Sequence, residues 1–479
     1  MTEHFHLMTA GAGEEDAPKE VRAPYDHKLI ATVATAGAAV VEGALRTADA
    51  LYRNRDAWLP AHRRVEILEK TAAIMSERAE ELALGAAQEG GKPLIDSRVE
   101  VARAIDGVKS CVECIRSNAG EEIPMRITPS SAQRLAFTRR EPIGPVVAFS
   151  AFNHPLNLIV HQVGPAIAAG CPVIVKPAAD TALSCFRFVA ILREAGLPDA
   201  WCQALMPTDL DLATQLATDR RVAFFSFIGS ARVGWMLRSK LASGTRCALE
   251  HGGAAPVVVA ADADLDDALP LLAKGGFYHA GQVCVSVQRV FAHQSVARQV
   301  AEGLARLGSA MVVGDPTDPA TEVGPLIRPK EVERVHQWVN NAVVKGAERL
   351  CGGEPLSETC YPPTVLLNPP EDVEVSCQEI FGPVICVYSC ADVDEAIRRA
   401  NDVPYSFQAA VMTRDIDTAM RCYDRLNGSA IMINDHTAFR VDWMPFAGLR
   451  ESGFGVGGIP YTFHDMQVEK MMVLRSKSL

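Results

Sequence analysis

A single cysteine, Cys284, stands in the stretch GQVCVSVQ, after a helix-like run and before an apolar, strand-like one. Gly281 and Ser286 leave room around its thiol, as a nucleophile requires, although a lone cysteine is commonly an inert buried side chain. A free thiol of pKa about 8.5 is only a few per cent ionised at neutral pH, so attack needs nearby donors or a helix end. Three other polar residues sit where apolar runs end. Asn153, in AFNHP, can donate to a developing oxyanion, a contact worth roughly 3 kcal/mol, or it can shape a turn before proline. Glu250, in ALEHGG, can take a proton from water or cap the next helix. Lys176, in VIVKPA, carries a charge that is costly at such a position unless it surfaces or meets a ribose or phosphate oxygen. In FIGSARVG, Gly229 permits a tight turn and Ser230 opens a helix whose free N–H groups can hold a phosphate, or merely a cap.

These residues need a frame that gathers strand ends. Between Pro145 and Gly253 the apolar runs PVVAFSAF, CPVIVKPA, CQALMP, VAFFSFIG and RCALEHGG alternate with helical patterns. That alternation means βαβ units and a parallel sheet covered on both faces, a doubly wound domain that binds ligands at the carboxyl ends of its strands. No strand there leads into the dinucleotide fingerprint G-x-G-x-x-G. A second alternation begins at Pro256 with PVVVA and continues through VQRVFAH, TVLLNPP, VICVYS, QAAVMT and SAIMIN. Residues 47–118 show amphipathic helical spacing, with Cys111 and Cys114 on what reads as a buried helix face. Residues 127–144 are polar and β-prone, and predict an exposed hairpin that a second subunit would cover; the tail QVEKMMVLRS predicts a last strand beside it. The first twenty residues, small and acidic, are expected to fray.

At 479 residues the chain is too long for one core, and 48% hydrophobic with 22% charged residues is an ordinary globular composition. The net charge of -11 argues against a nucleic-acid partner. Its 13 cysteines are scattered, no charged-then-apolar leader opens the chain, and no apolar run reaches the roughly 18 residues of a membrane span. A cytoplasmic protein with no membrane contact and no metal site is therefore expected.

Taken in order, AFNHP, VIVKPA, FIGSARVG, LEHGG, GQVCVSVQR, QEIFGPV and MPFAGLRESGFG resemble the motif blocks of the aldehyde dehydrogenase superfamily, across about Val21 to Leu474. The resemblance implies an α/β fold: a Rossmann-type cofactor domain (1–126 and 145–251), an α/β catalytic domain (252–455) and a small β oligomerisation element (127–144 and 456–479) in a homodimer or homotetramer. It implies NAD- or NADP-dependent oxidation of an aldehyde to the carboxylic acid. Cys284 would attack the carbonyl, a hydride would pass to the nicotinamide, and the thioester would be hydrolysed. Asn153 and the Cys284 N–H would hold the oxyanion, and Glu250 would activate water. Lys176 and Glu379 would hold ribose hydroxyls, Phe381 would pack near the nicotinamide ribose, Ser230 would meet the pyrophosphate, and Phe227 and Gly229 would complete the cofactor site. Three residues depart from the family pattern. Ala179 stands where many NAD-preferring members have a glutamate, His251 replaces an apolar residue, and Ala447 lies within PFAG.

HTAFRVDWMPFAG resembles the branch acting on small hydroxylated or anionic aldehydes, such as lactaldehyde, succinate semialdehyde and the sulfo- or phosphono-aldehydes. Arg440, with Arg103 and His154, would form a cationic pocket for a carboxylate, sulfonate or phosphonate; the competing reading places both arginines in structural salt bridges. Val283, before the nucleophile, lacks the arginine a phosphonate dianion would call for, which favours a monoanion or a hydroxyaldehyde. A cofactor-independent thiol hydrolase or esterase, a non-catalytic scaffold and a CoA-acylating enzyme are the alternatives. Glu250 and Glu379 weigh against all three.

Overall fold

The computed structural model describes residues 2–11 and 14–479. Its first large sheet has six strands in the order Gly453–Phe454, Arg246–Glu250, Phe224–Ile228, Val146–Phe149, Val173–Lys176 and Cys202–Ala204. The last five run parallel, and Gly453–Phe454 joins their edge antiparallel. Side chains alternate between two buried faces: Val146, Ala148, Val173 and Val175 pack into one apolar cluster, while Val147, Phe149, Ile174 and Phe225 pack into another. This two-sided burial is why the strands read as continuous apolar runs. The chain starts the sheet at Val146–Phe149, builds outward to Cys202–Ala204, and then returns to lay Phe224–Ile228 on the other side. The reversal opens a crevice beyond the carboxyl ends of Val146–Phe149 and Phe224–Ile228, the place where doubly wound sheets take ligands.

The second sheet has seven strands, in the order Glu348–Cys351, Thr364–Leu367, Val384–Cys390, Arg289–His293, Pro256–Val259, Gln408–Met412 and Ala430–Ile433. All pairs are parallel except that of Glu348–Cys351 with Thr364–Leu367. A separate apolar core encloses it. Cys284 lies in the loop entering Arg289–His293, and Glu379 and Phe381 in the loop entering Val384–Cys390. Amino-end loops of the second sheet therefore supply the side chains that must meet carboxyl-end loops of the first.

Elsewhere the elements differ in part from the sequence reading. The opening residues do not fray: Glu3–Phe5 and Glu15–Arg22 pair with opposite edges of Leu29–Ala36, and Met8 bridges Ala204 of the first large sheet. Main-chain pairing does this with mostly exposed side chains, so hydropathy carried no trace of it. The expected hairpin is lopsided. Glu122–Ile123 pairs with the far longer Arg134–Pro142, whose main partner is Gln467–Arg475, in register from Gln467↔Pro142 to Arg475↔Arg134. Pro124 has no N–H to donate and ends the short strand. Cys111 and Cys114 are buried on the helix Leu94–Arg116. Among the described residues no helix is long and apolar enough to cross a membrane.

The loop before Cys284 is a left-handed turn of three residues. His279, Ala280 and Gly281 are all left-handed, with φ of 50°, 52° and 67°. A methyl group on Gly281 would also overlap the Gly382 carbonyl. Replacing Gly281 with Ala is expected to destabilise the protein by about 2 kcal/mol or more, about 1 of it for the left-handed backbone and the rest for overlap. Urea unfolding midpoints measure this, and an unchanged midpoint would show that the loop relaxes freely.

Candidate active site

All the candidate catalytic, cofactor-binding and substrate-binding residues line one cavity of about 990 Å³ between the two sheets. Cys284, Glu250 and Asn153 come from three loops, and the motif around the thiol explains how they are held. In GQVCVSVQR the polar positions are struts. The Gln282 amide donates to the carbonyls of His279 (3.3 Å) and Pro325 (3.2 Å), and its oxygen accepts from the Ile327 N–H (2.9 Å). Ser286 Oγ reaches the Gly275 and Gly276 carbonyls. Gln288 accepts from the Ile380 N–H (3.0 Å) and donates to the Gln378 carbonyl (2.7 Å), so it clamps the chain on both sides of Glu379. Val283 and Val285 pack with Phe407 and Phe446 as an apolar floor. Residue type alone gives neither glutamine a task; their regular spacing among valines is the signal in the sequence.

Asn153 is buried, and its Nδ2 donates to the Gln282 carbonyl at 2.9 Å, which leaves one amide hydrogen unassigned near the thiol. Burial pushes the Cys284 thiol far above its usual range, and the negative charge of Glu250 adds to this. Burial also raises the Glu250 carboxyl, with Arg440 and Arg103 opposing the rise, and Glu250 Oε1 has no hydrogen-bond partner. A carboxyl so placed suits a general base near neutral pH.

At the other end of the cavity, Lys176 Nζ donates only to the Pro177 carbonyl (3.0 Å) and lies 5.2 Å from the Phe149 ring centre. Burial lowers its pKa to about 8. Glu379 is half-buried, with its Oε1 atom buried and unpartnered, and desolvation raises its pKa to about 8. Gly252 leaves room beside it, since a methyl group there would overlap this oxygen unless the Glu379 side chain moved. A donor with one main-chain partner and a carboxyl oxygen with none, both lining one cavity, fit a pair of ribose hydroxyls. Phe381 packs edge-on against Phe152, their centres 5.7 Å apart. Ser230 precedes the helix Ala231–Arg238 and makes no side-chain cap bond, so its hydroxyl is free for a phosphate. Phe227 and Gly229 form the turn leading to it, and His251 sits between the Phe227 and Trp235 rings with Nδ1 2.8 Å from the Gly229 carbonyl. The unusual histidine thus braces that turn. Ala179 lines the cavity next to Lys176, while its neighbour Asp180 is taken by Arg328 (Nε to Oδ1 3.1 Å).

The expected cationic wall is more differentiated than its residue types suggest. Arg103 is committed: its fork binds Asp442 at 3.1 and 2.8 Å, and Asp442 also accepts from Asn157 (3.1 Å) and meets His161 Nε2 (2.7 Å). Burial works to raise the Asp442 pKa, but His161 and Arg103 outweigh it and hold the carboxylate ionised. His154 is no cation. Burial, with the charge of Lys92, pushes its pKa well below the ordinary value, and the neutral ring accepts from Lys92 Nζ at 2.6 Å. Lys92 is itself buried and paired with Glu100 at 2.5 Å. Arg440 differs from both. It stacks on Phe446, 3.5 Å from the ring centre, lies 3.6 Å from Glu250 Oε1, and keeps a buried Nε with no partner. Asp442, which apportions the wall between the two arginines, stood unremarked inside the stretch that pointed to Arg440.

Comparison with known proteins places this arrangement. The model of the aldehyde dehydrogenase family matches residues 12–472. The 3-sulfolactaldehyde dehydrogenase of Priestia aryabhattai is 36% identical over 471 residues, 98% of each chain. Aldehyde dehydrogenase 21 from Physcomitrella patens, solved in complex with the reaction product succinate, superposes with a TM-score of 0.94 at 32% identity, covering 99% of both chains. The glyceraldehyde-3-phosphate dehydrogenase GapN of Methanocaldococcus jannaschii, complexed with NADP, gives 0.91 at 33% identity, covering 97% of this chain and 100% of that one. With a thiol, a carboxyl and an amide converging beside a crevice suited to a dinucleotide, this chain belongs to the aldehyde dehydrogenase family and is an NAD(P)-dependent enzyme.

Proposed function

We propose that the enzyme oxidises a small aldehyde bearing an anionic or hydroxylated tail to its carboxylic acid, with sulfonated, carboxylated and hydroxylated three- and four-carbon aldehydes as the best candidates. The observation that carries this is Arg440: a buried guanidinium with an unpartnered Nε in the cavity that holds Cys284. A monoanion offers it the missing partner, and a hydroxyl is the weaker substitute. The names of similar proteins, a 3-sulfolactaldehyde dehydrogenase and an enzyme solved with succinate, support the same class. Val283 is buried in the apolar floor, so the anion is met on the Arg440 side rather than next to the thiol.

In this reading Cys284 Sγ gives its proton to solvent and bonds to the aldehyde carbon. The spare Asn153 amide hydrogen and the Cys284 N–H hold the oxygen as it gains charge. NAD or NADP, when bound, would supply the hydride acceptor. Lys176 and Glu379 would hold its ribose hydroxyls, Phe381 and Phe227 would wall it, and Gly229 and Ser230 would receive the pyrophosphate. As the carbonyl re-forms, a hydride leaves the carbon and a thioester remains on Cys284. Glu250 then takes a proton from the water that attacks it. The free thiols at all 13 cysteine positions accord with a cytoplasmic enzyme. Phe137, Met471, Met472, Val473 and Leu474 are exposed on the sheet formed by Arg134–Pro142 and Gln467–Arg475, and we propose that a second subunit covers them.

Three outcomes are expected. Glu250→Gln keeps a rapid burst of reduced cofactor while steady turnover drops roughly 10²- to 10⁴-fold, because only hydrolysis loses its base; a lost burst would assign Glu250 to the first half-reaction. Arg440→Ala lowers kcat/KM about 10- to 100-fold more for an anionic aldehyde than for its neutral counterpart. Equal losses would remove the anion site, and running the panel with both cofactors ranks NAD against NADP. Light scattering of Met472→Glu combined with Leu474→Glu shows a smaller particle than the parent; an unchanged mass would clear that surface of a role in assembly.

A further inference from the structure

Arg440 faces two ways within the cavity. On one side is the space left for the substrate tail; on the other, Nη1 lies 3.6 Å from Glu250 Oε1, an ion-pair distance but not a hydrogen bond. Glu250 Oε1 and Arg440 Nε are both buried and unpartnered. The neighbouring charges leave Arg440 nothing else acidic to pair with. Asp442 is occupied by the Arg103 fork, His161 and Asn157, and among the described residues the only other polar contact of Arg440 is His161 Nδ1 at 3.3 Å. Burial together with the charge of Arg440 pushes the His161 pKa down to about 4, so that ring is neutral and supplies no counter-charge.

We infer that Arg440 is a counter-ion shared between the substrate and Glu250: without an anion in the cavity it leans on the Glu250 carboxylate, and an anionic tail draws it away and releases the carboxylate to act on water. Anion recognition and hydrolysis are thereby coupled through one guanidinium. This rests on the anion-binding reading of Arg440 given above. In the released state the water oxygen bonds to the acyl carbon while its proton passes to Glu250. The carbon–sulfur bond then breaks, its electron pair returns to Cys284 Sγ, and the proton ends on that sulfur, giving the carboxylic acid and the free thiol. A neutral aldehyde leaves Arg440 on Glu250, so its thioester hydrolyses with the weaker base.

The charged and titratable groups around Glu250 are few. Arg440 comes from the loop before Phe446, Arg103 from the helix Leu94–Arg116, Cys284 from the nucleophile loop and His251 from the next position in the chain; Glu379 acts on Cys284, and Gly457, beside Oε2, brings no charge. Of these, Arg440 is first among the charges that favour the ionised carboxylate. Neutralising it with an anion therefore makes Glu250 a stronger base that protonates at higher pH.

The test follows the rate after the burst against pH, in the holoenzyme with a neutral short aldehyde, with and without methanesulfonate. The acid limb should move up by about one pH unit with methanesulfonate, and the plateau should rise a few-fold. In Arg440→Gln the limb should already sit at the higher pH and ignore the anion. A limb that stays put in wild type while methanesulfonate competes with an anionic aldehyde would overturn the coupling and leave the anion site standing. A loss of selectivity for anionic aldehydes is a separate readout, and its absence in Arg440→Ala would defeat the substrate reading itself.

Discussion

Everything at this site depends on a turn that is expensive to make. His279 and Ala280 hold left-handed backbones immediately before Gly281, each at a cost of roughly 1 to 2 kcal/mol. Gln282 offsets that cost through three side-chain hydrogen bonds, and its carbonyl takes a fourth from Asn153; bonds of this kind contribute about 0.5 to 1.5 kcal/mol each. The two totals are comparable, so the turn stands only while those partners are in place. Since three of the four come from Pro325, Ile327 and Asn153, outside the turn, the thiol is positioned by the meeting of both sheets and not by its own loop alone.

The same seam governs the charges. Where Asp442 satisfies Arg103, it also withdraws that arginine from the substrate, and where Lys92 and Glu100 pair, they hold His154 neutral beside Asn153. What remains incompletely bonded in the cavity is sparse and paired by function: Arg440 with Glu250 on the side toward the substrate, Lys176 with Glu379 on the side toward the cofactor. Buried polar groups without partners are costly, and their persistence here marks the places where a ligand completes the bonding.

The strands of both sheets were legible because residues buried on two faces leave unbroken apolar runs, as in PVVAFSAF and VICVYS. The opening strands were not, since Glu3–Phe5 and most of Glu15–Arg22 face outward and gain their place chiefly from main-chain pairing, with Phe5 and Val21 the side chains that reach the core. The short antiparallel strand Gly453–Phe454 escaped for a related reason: two residues carry no periodicity, and they belong to the edge of the first sheet although the chain around them follows the second.

By itself, the sequence determined which side chains could react, because the thiol, the carboxyls, the amide and the lysine stand at ends of apolar runs where only a partner or a ligand excuses them. It also determined their order, and through that order the family. Only the tertiary structure decided how their charges are shared. That Asp442 claims Arg103 while Arg440 is left to Glu250 follows from distances of about 3 Å between segments more than a hundred residues apart. Coulomb interactions at that range depend on separation and burial, and neither quantity is written in the chain.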